Sequence, residues 1–559
     1  MNDTYVPKVM PLKTVFTIST LLFFLIAYIL PLGVRHLVVP DETRYAEIPR
    51  EMMASGDFIV PRLNGLRYFE KPVMGYWLNG ISMLAFGENP FAVRFPSAVA
   101  AGLSALMIWL LMRRASGNAA SGILAPLVFL TCFLVVGTGV FSVLDGMLAM
   151  FLTMAMTAFY FALDAPRGSW KEKGLLALFG ILCGMAFLTK GFLAFAVPVV
   201  AIVPYMIWAG RWKDLLRMAV IPIAAAVLVS LPWAIAVHLK EPDYWNYFFW
   251  QEHIKRFMAE DAQHKASFWT YFLAFPVAAL PWSPLIPASV MGMDRSRVQT
   301  ALFRYALCWF VFPFLFFSAA SGKLLTYILP CFPPFAILFA EGLATGFGKT
   351  TGKTVQGALI ALVFIFSAVL LGLIVIQATG VGGFVPYVHS WKTLAAALGL
   401  AGLVFCLWMS LKKGVLGKKL LLVALGTTLF LATIQFVLPD DTIEHKAPGA
   451  LLLRNAARVQ PETVLVSLED PLRAVCWFYK RSDVFQLGAG GELAYGFGYP
   501  DDSHRLLDEA TFLRLIPGHE RGRVVLVGKS KHYRKLKDRL PPPIFEDTSG
   551  PGGYVFAQY

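Results

Sequence analysis

The chain has 559 residues, of which 57% are hydrophobic and only 15% are charged, and its mean hydropathy is +0.62. Soluble domains are nearer half apolar and about a quarter charged, so this composition excludes an ordinary soluble protein. A formal net charge of +14 is also seen in proteins that bind nucleic acid. Here many basic residues lie in short loops between hydrophobic segments, which explains much of the charge without a nucleic-acid partner.

Repeated apolar runs predict a polytopic α-helical membrane protein, because a helix needs roughly 20 apolar residues to cross a bilayer. The pattern predicts about 13 transmembrane helices. Of the two segments 73–87 and 91–112, one is predicted to span and the other to be partly immersed. The other predicted cores are 15–34, 120–140, 147–163, 174–189, 191–209, 218–238, 267–290, 301–320, 324–343, 354–377, 391–411 and 418–438.

Basic residues fall on every second loop, at 113–114, 167–173, 211–217, 295–297, 349–353 and 412–419. By the positive-inside rule these loops and the N-terminus face the cytoplasm. The alternate loops then face outward, and the two largest of them are 35–72 and 239–266. The sequence therefore predicts a transmembrane domain over 1–438 and an outer domain over 439–559.

The segment from 439 onward predicts a small α/β domain, because short apolar strands alternate there with amphipathic segments. The predicted strands are Val464–Leu468, Val484–Leu487, Val524–Val527 and Tyr554–Ala557. The predicted helices between them are Pro471–Tyr479, Glu509–Ile516 and Ser530–Leu536. We interpret this domain as a lid or a docking module.

The first outer loop is densely charged for this chain, and from Pro40 it reads PDETRYAEIPREMMASGDFIVPRLNGLRYFEKP. Asp41 and Glu42 follow the membrane exit, whereas Glu70 and Lys71 precede the re-entry. A solvated surface loop is one explanation. Acids and a base at both ends of one loop instead predict a shared cavity at the bilayer surface, where charged groups are usually functional. Other charged residues on this predicted side are Arg44, Asp145, Lys190, His253, Lys255, Arg256 and Lys323.

Three motifs in this loop carry a family resemblance: PDETRY, GDFIVPRLNG and YFEKPVMGYWL. They resemble the first external loop of membrane glycosyltransferases related to protein mannosyltransferases. Within that group the chain is similar to the undecaprenyl phosphate-α-4-amino-4-deoxy-L-arabinose arabinosyl transferase family, which modifies lipid A. The resemblance is strong over roughly residues 1–100, looser to about residue 340 and weak in the C-terminal part.

The resemblance implies a GT-C fold in the bacterial inner membrane, with the active site facing the periplasm. It implies an enzyme that moves 4-amino-4-deoxy-L-arabinose from undecaprenyl phosphate to a lipid A phosphate with inversion. This modification confers resistance to polymyxin and cationic antimicrobial peptides. The implied partners are the lipid-linked sugar donor, the lipid A acceptor and the surrounding lipid, without nucleic acid.

Asp145 stands alone in a short turn between two apolar segments. One interpretation is a helix N-cap, since Asp caps well; the resemblance instead implies a second functional acid at this turn. Lys323 and Tyr327 are four residues apart, which predicts that they share one helix face. Lys323 either extends to the interface along its aliphatic stem or, as the resemblance implies for this pair, faces the lipid-phosphate cavity.

The second large outer loop contains WQEHIKRF, in which Lys255 and Arg256 are candidate phosphate-binding residues. His253 is a structural histidine, a phosphate contact or a metal ligand. The resemblance places this loop beside the first, which makes Glu70 the candidate partner of His253 for a divalent metal such as zinc, in a structural or auxiliary role. The sequence has no clustered Cys and His spacing that would predict a metal by itself.

The predicted chemistry follows from the leaving group, since a departing lipid phosphate gains charge in the transition state. Preorganised cations stabilise such charge, and the candidates are Lys71, Arg44, Arg256 and Lys323. A hydroxyl acceptor needs a general base, whereas a lipid A phosphate, with a second pKa of about 6, attacks without one. Asp41 therefore serves either as a base or as a partner of the sugar ammonium and the anomeric centre, with Glu42 and Asp145 as further candidate acids.

Two other functions fit parts of the sequence. One is a mannosyl- or hexosyltransferase that acts on a protein or glycan hydroxyl. The other is a lipid transporter, which would carry polar groups near the bilayer midplane. The charges here gather at one face, which disfavours transport.

Overall fold

The computed structural model of the chain describes residues 12–255, 265–346 and 352–559. The helices of the membrane part and its loops are Leu12–Phe24, Leu25–Ile29, Asp41–Ser55, Met74–Phe86, Pro90–Ala115, Ala119–Thr131, Phe133–Gly139, Leu144–Leu163, Trp170–Lys190, Leu193–Trp208, Asp214–Lys240, Asn246–Lys255, Thr270–Ala278, Ser283–Leu285, Ile286–Met291, Arg295–Val298, Ala301–Ala319, Leu325–Cys331, Phe332–Ala344, Lys353–Thr379, Ser390–Ser410 and Leu416–Phe436. The later helices are Asp440–Lys446, Gly449–Arg454, Ala456–Arg458, Leu472–Tyr479, Gly491–Leu493, Ala494–Phe497, Ser503–Arg505, Glu509–Leu515 and Ser530–Lys537.

The protein is a multi-pass membrane protein. Among the described residues, nine helices are long and apolar enough to cross a bilayer, or eleven if each of two bent pairs is one span. Two further apolar helices, Thr14–Ile29 and Leu193–Trp208, are shorter. The count of about 13 spans stays a prediction. Pro90–Ala115 is long enough to span, whereas Met74–Phe86 has only 13 residues.

Helix starts follow local sequence signals. Asn89 accepts a hydrogen bond from the amide of Ala92, and Pro90 occupies the first helical turn, where its missing N–H costs nothing. Ser169 and Thr300 cap the helices that begin at the following residues in the same way. These three apolar runs therefore begin as helices where the side chain of a small polar residue accepts a hydrogen bond from an amide of the first turn.

In the described part of the chain, two candidate spans are broken by a sharp bend, and the two breaks contact each other. Ala119–Thr131 and Phe133–Gly139 are bent by 64°, and Thr270–Ala278 and Ser283–Met291 are bent by 100°. The Phe133 amide donates to the Leu280 carbonyl oxygen at 3.0 Å. An amide at one break is therefore satisfied by a carbonyl at the other. Irregular backbone at membrane depth is tolerated where it is buried in protein or lines a cavity.

The predicted cytoplasmic loops meet at one end of the helices. Ion pairs join Arg114 to Asp164 at 2.9 Å, Arg217 to Glu172 at 2.7 Å and Arg297 to Glu341 at 2.6 Å. Loops that are distant in sequence therefore share a surface, as the alternating charge pattern predicts. The first outer loop lies at the opposite ends of these helices, together with the C-terminal sheet.

The first outer loop forms a helix and a hairpin. The helix, Asp41–Ser55, ends at Gly56 in a left-handed conformation. The hairpin pairs β1 (Arg62–Leu63) with β2 (Leu66–Arg67). Asn64 and Gly65 form its turn with φ of 58° and 72°, as a two-residue Asn-Gly hairpin turn requires.

A buried ion pair attaches this loop to the membrane helices. Arg94 donates to both carboxylate oxygens of Glu42, at 2.6 and 2.8 Å, and Arg35 donates to the same carboxylate at 2.6 Å. Arg94 also donates to the carbonyl oxygens of Leu32 and His36, beyond the first apolar helix. Glu42 and Arg94 are 0% and 1% exposed, so the exit of the first helix and the start of the loop helix are fixed together.

Strands near the C-terminus form a six-stranded sheet in the order β5-β4-β3-β6-β8-β7. Its strands are β3 (Val464–Ser467), β4 (Phe485–Leu487), β5 (Leu506–Leu507), β6 (Val524–Lys529), β7 (Phe545–Thr548) and β8 (Tyr554–Gln558). The four predicted strands correspond to β3, β4, β6 and β8. The sequence did not predict β5, which has two residues, or β7, an edge strand with the polar sequence FEDT. Pairings on the β5 side are parallel, and β8 is antiparallel to both β6 and β7.

The sheet region docks on the first outer loop through the hairpin turn. The Asn64 side chain donates to the Val484 carbonyl at 2.7 Å and accepts from the Val484 amide at 3.0 Å. Glu51 accepts from the Asn64 and Gly65 amides at 2.6 and 2.8 Å on the other side of the turn. A Cβ on Gly65 would lie 2.8 Å from the Ser482 carbonyl oxygen, so this turn fits only with glycine.

We predict that Arg94→Met destabilises the protein by about 3–5 kcal/mol, because it leaves the buried carboxylate of Glu42 without its main partner. The matched control is Arg114→Met, whose ion pair with Asp164 is exposed and contributes less than about 1 kcal/mol. Denaturant unfolding of the purified protein in detergent measures both. Equal effects of the two substitutions would contradict the assignment.

The same pair has a defined pH dependence. Burial alone would raise the pKa of Glu42, but the charges and hydrogen bonds of Arg94 and Arg35 outweigh it and lower this pKa from 4.5 to about 2. A lowered folded-state pKa gives stability that is complete above the unfolded pKa and is lost as the pH falls through the folded one. The contribution of Glu42 is therefore constant from about pH 5 upward and declines toward pH 2.

Candidate active site

A cavity of about 540 Å³ lies between the first outer loop and the broken spans. Its lining contains both charged or polar residues and apolar residues. The apolar residues come mainly from the broken helices and from Leu324 and Leu325. The polar lining includes Asp41, Arg44, Tyr45, Glu70, Lys71, Asp145, Lys190 and Tyr327. The apolar lining includes Phe133, Leu134, Phe141, Val277, Ala278, Leu324 and Leu325. The structure thus brings together six predicted site residues from three distant parts of the sequence.

Asp41 and Arg44 reach the cavity from the first turn of the loop helix. Arg44 Nη1 lies 3.0 Å from Asp41 Oδ1, as the three-residue spacing allows on one helix face. The Asp41 side chain is 43% exposed and lines the cavity. Arg44 is only 12% exposed and lines the cavity from a more buried position.

Glu70 and Lys71 enter the same cavity from the end of the loop, after the hairpin has reversed the chain. Lys71 Nζ donates to the Glu70 carbonyl oxygen at 2.8 Å. Both residues precede Met74–Phe86, so the helix that re-enters the apolar region holds them at the boundary. The prediction that the two ends of the loop border one cavity agrees with this arrangement.

Asp145 is paired with a lysine that sequence analysis placed on this side but gave no role. Lys190 Nζ lies 2.6 Å from Asp145 Oδ1 and 4.7 Å from the centre of the Tyr327 ring. The N-cap of Leu144–Leu163 is Val143, so Asp145 does not cap this helix through its side chain. A lone charge at the end of an apolar segment, as in FLTKGF, was the signal that pointed to Lys190.

Glu42 does not line the cavity, contrary to the expectation that both acids of PDETRY face it. Its carboxylate also accepts from the Val38 and Ser142 amides, at 2.9 and 3.3 Å. The helix turns by about 100° per residue, so Asp41 faces the cavity while its neighbour faces the buried side. Glu42 therefore positions the loop.

Lys323 is also turned away from the cavity. Its Nζ donates to the carbonyl oxygens of Ala266, at 3.1 Å, and Ala320. Leu324 is extended and the helix begins at Leu325, so the predicted shared helix face of Lys323 and Tyr327 is wrong. Burial lowers the pKa of the Lys323 amine. Tyr327 alone of this pair lines the cavity.

The remaining predicted ligands belong to the second outer loop. Arg256 lies outside the described residues. His253 and Lys255 belong to the helix Asn246–Lys255, but their side chains lie outside the described part of the structure. Within the described ranges no group of three or more His, Cys, Asp or Glu side chains is placed to hold a metal. Of the predicted zinc pair the structure locates only Glu70, and the metal stays a prediction.

Glu492, in the sheet region, is a residue that sequence analysis missed. It contacts Arg44 at 2.7 Å, although 448 positions separate the two residues in the chain. A glutamate in a Gly-rich turn, GAGGEL, gave no signal of function. Only the tertiary fold connects it with the cavity.

Comparison with known proteins agrees with this fold. Residues 13–248 match the dolichyl-phosphate-mannose-protein mannosyltransferase family, and residues 443–556 match the C-terminal domain of arabinosyl transferase ArnT. The crystal structure of ArnT from Cupriavidus metallidurans bound to undecaprenyl phosphate superposes with a TM-score of 0.80 at 24% identity, over 98% of both chains. The archaeal oligosaccharyltransferase AglB from Archaeoglobus fulgidus has a TM-score of 0.51 at 12% identity, over 98% of this chain and 74% of that one.

The fold, the match to the mannosyltransferase family and the curated relatives described next define a membrane glycosyltransferase of the GT-C type. A relative from Shewanella sediminis is 42% identical over 87% of this chain and 88% of its own, and one from Erwinia tasmaniensis is 41% identical over 93% and 95%. Both are named undecaprenyl phosphate-alpha-4-amino-4-deoxy-L-arabinose arabinosyl transferase. The chain belongs to this family.

Proposed function

We propose that this protein transfers 4-amino-4-deoxy-L-arabinose from undecaprenyl phosphate to a phosphate group of lipid A. The donor and the sugar are those in the names of the relatives. The reaction takes place at the periplasmic face of the bacterial inner membrane, which the positive-inside pattern assigns to the cavity end. The modified lipid A carries less negative charge, which confers resistance to polymyxin and cationic antimicrobial peptides.

The observation that supports this proposal is that the cavity is lined by both charged and apolar side chains. Arg44 and Lys71 line the cavity, and their positive charges suit the phosphate of a lipid-linked sugar. Phe133, Val277 and Leu325 line the same cavity, and their apolar side chains suit the first prenyl units. A substrate with a charged head on an apolar chain fits both surfaces at once.

The reaction needs one bond broken and one bond formed. The bond between the anomeric carbon and the donor phosphate oxygen breaks, and its electron pair leaves with undecaprenyl phosphate. An oxygen of the lipid A phosphate attacks the anomeric carbon from the opposite face, which inverts the configuration. The acceptor is largely dianionic at neutral pH, with a second pKa of about 6, so no proton is removed.

The cations act on the departing phosphate. Arg44 and Lys71 are already held at the cavity surface by the loop helix and the re-entering helix, so little reorganisation is needed as charge develops. The neighbouring carboxylates have other roles. Asp145 is paired with Lys190 and Asp41 with Arg44, but the Asp41 side chain is the more exposed of the two acids, at 43% against 12%, and is the proposed partner of the sugar ammonium.

The rival functions differ in what they require of this site. A protein or glycan hydroxyl acceptor needs a general base beside the anomeric carbon. A transporter concentrates polar groups at the centre of the bilayer. The polar residues of this cavity instead come from loop ends and helix termini at one side of the membrane part, such as Asp41, Lys71 and Lys190.

A direct assay tests the function. Purified protein in detergent, incubated with undecaprenyl-phosphate aminoarabinose and lipid A, is expected to give lipid A whose mass is increased by one aminoarabinose unit, as read by mass spectrometry. Lipid A without its phosphates is the matched control and should gain nothing. Transfer to a protein or glycan hydroxyl, or no transfer at all, would contradict the proposal.

The role of Asp41 is tested with two donors, one with the 4-amino group and one without. Asp41→Asn keeps shape and removes charge, so we predict a rate loss roughly tenfold to a hundredfold larger with the amino donor, since charged hydrogen bonds contribute about 1.5–3 kcal/mol. Asp164→Asn, at the opposite end of the membrane part, is the control and should change neither rate. Equal proportional losses with both donors would rule out recognition of the ammonium by Asp41.

A further inference from the structure

The carboxylate of Glu492 is the meeting point of three donors. Arg44 Nη2 donates to it at 2.8 Å and the Tyr68 hydroxyl donates to it at 2.5 Å. Arg473 Nη2 is its third donor. Arg44 and Tyr68 belong to the first outer loop, whereas Arg473 and Glu492 belong to the sheet region. Glu492 therefore joins the two parts directly behind the cavity.

The surroundings hold Glu492 in place. Its side chain is 17% exposed, and that of Arg473 is 5% exposed. Arg473 lies in Leu472–Tyr479, which packs against the loop helix Asp41–Ser55. The helix that packs against the loop helix therefore carries Arg473, and Arg473 holds the Glu492 carboxylate toward the first outer loop.

This contact defines the direction of the Arg44 guanidinium. Its Nη1 is bound by Asp41 and its Nη2 by Glu492, so the planar group is held between two carboxylates. Arg44 Nε is buried and has no hydrogen-bond partner within the described ranges. Two fixed contacts leave a planar guanidinium little freedom to rotate, and Arg44 lines the cavity in this orientation.

Electrostatics also favour a carboxylate at this position. Arg44 and Arg473 both donate to Glu492, so its carboxylate lies between two like charges in a buried region. Burial and then the charge of Arg44 lower the pKa of Arg473 to about 10, so both arginines are charged at neutral pH. Glu492 compensates this repulsion, which keeps Arg44 near the phosphate side of the cavity.

We propose that Glu492 is a positioning residue for Arg44, so that the C-terminal sheet region completes the active site across the interface. The inference rests on the proposed function, in which Arg44 stabilises the departing phosphate. Glu492 does not line the cavity, and it acts on the reaction through the orientation of Arg44 alone.

A double-mutant cycle tests this coupling. We compare wild type, Glu492→Gln, Arg44→Ala and the double variant by the kcat and donor KM for aminoarabinose transfer. Glu492→Gln is expected to lower kcat about tenfold and to change KM less than about twofold, because the effect falls on a group that acts in the transition state. In the Arg44→Ala background the same substitution should cost less than about twofold, since residues that act together are not additive.

The matched control is Asp501→Asn. Asp501 forms another ion pair between the sheet region and the first outer loop, with Arg67 at 3.1 Å, but its side chain is 62% exposed and Arg67 does not line the cavity. This substitution should leave kcat within about twofold in both backgrounds, as an exposed ion pair contributes little. Glu492→Asp, which keeps the charge on a shorter side chain, should recover part of the activity that Glu492→Gln loses.

Equal losses from Glu492→Gln with and without Arg44 would overturn the inference, and so would full activity of the single variant. If Glu492→Gln does not fold, Tyr68→Phe removes one of the three contacts without a change of shape, and its loss should likewise depend on Arg44. A wild-type protein that transfers no aminoarabinose would defeat the proposed function itself. An active wild type with an additive cycle would defeat this inference only.

Discussion

The buried ion pair of Glu42 and Arg94 is the constraint on which the site depends. Arg94 comes from a membrane helix and binds both the loop carboxylate and backbone carbonyls beyond the first apolar helix. Two charges buried together are stable only when their hydrogen bonds are satisfied, and here both are. The ion pair therefore fixes the position of the loop helix relative to the end of the first apolar helix.

That geometry separates the roles of adjacent residues. Once Glu42 faces the membrane helices, the helical period turns Asp41 about 100° and Arg44 about 200° away from it, so that both line the cavity. The chain then returns through the Asn64–Gly65 hairpin, whose turn lies between Glu51 and the sheet region. This return path brings Glu70 and Lys71 beside Asp41, so one loop supplies both ends of the site.

The C-terminal sheet is part of the same structure. Val484 binds the hairpin turn, and Glu492 binds Arg44, so the sheet contacts the loop at its tip and beside the cavity. Arg67 adds a link to the second outer loop through Glu241, at 2.9 Å. Because these contacts meet around the loop, the orientation of the cavity residues depends on both parts of the chain.

Much of this fold could be predicted because it is local in sequence. Apolar segments mark the spans, and the predicted core 218–238 lies within the helix Asp214–Lys240. Apolar runs likewise marked four strands of the sheet. The charged ends of the first loop correctly predicted that Asp41 and Lys71 share a cavity, because two chain ends at one membrane surface have little room to separate.

The errors arose where a side chain's direction depends on tertiary partners. Glu42 has the same sequence context as Asp41, and only Arg94 shows which way it points. Lys323 was placed by helical spacing, but the helix begins after it. Glu492 has no local signal at all, since its role exists only when the sheet is docked on the loop.

The central claim is that cations of the first outer loop stabilise the departing lipid phosphate. The most direct measurement is the rate of aminoarabinose transfer by purified Lys71→Ala, with folded protein quantified and Lys480→Ala, an exposed lysine of the sheet region, as control. Loss of one preorganised contact of this kind reduces the rate by about 10²–10³. The account predicts such a loss for Lys71→Ala and an unchanged rate for Lys480→Ala. A fully active Lys71→Ala protein would contradict it.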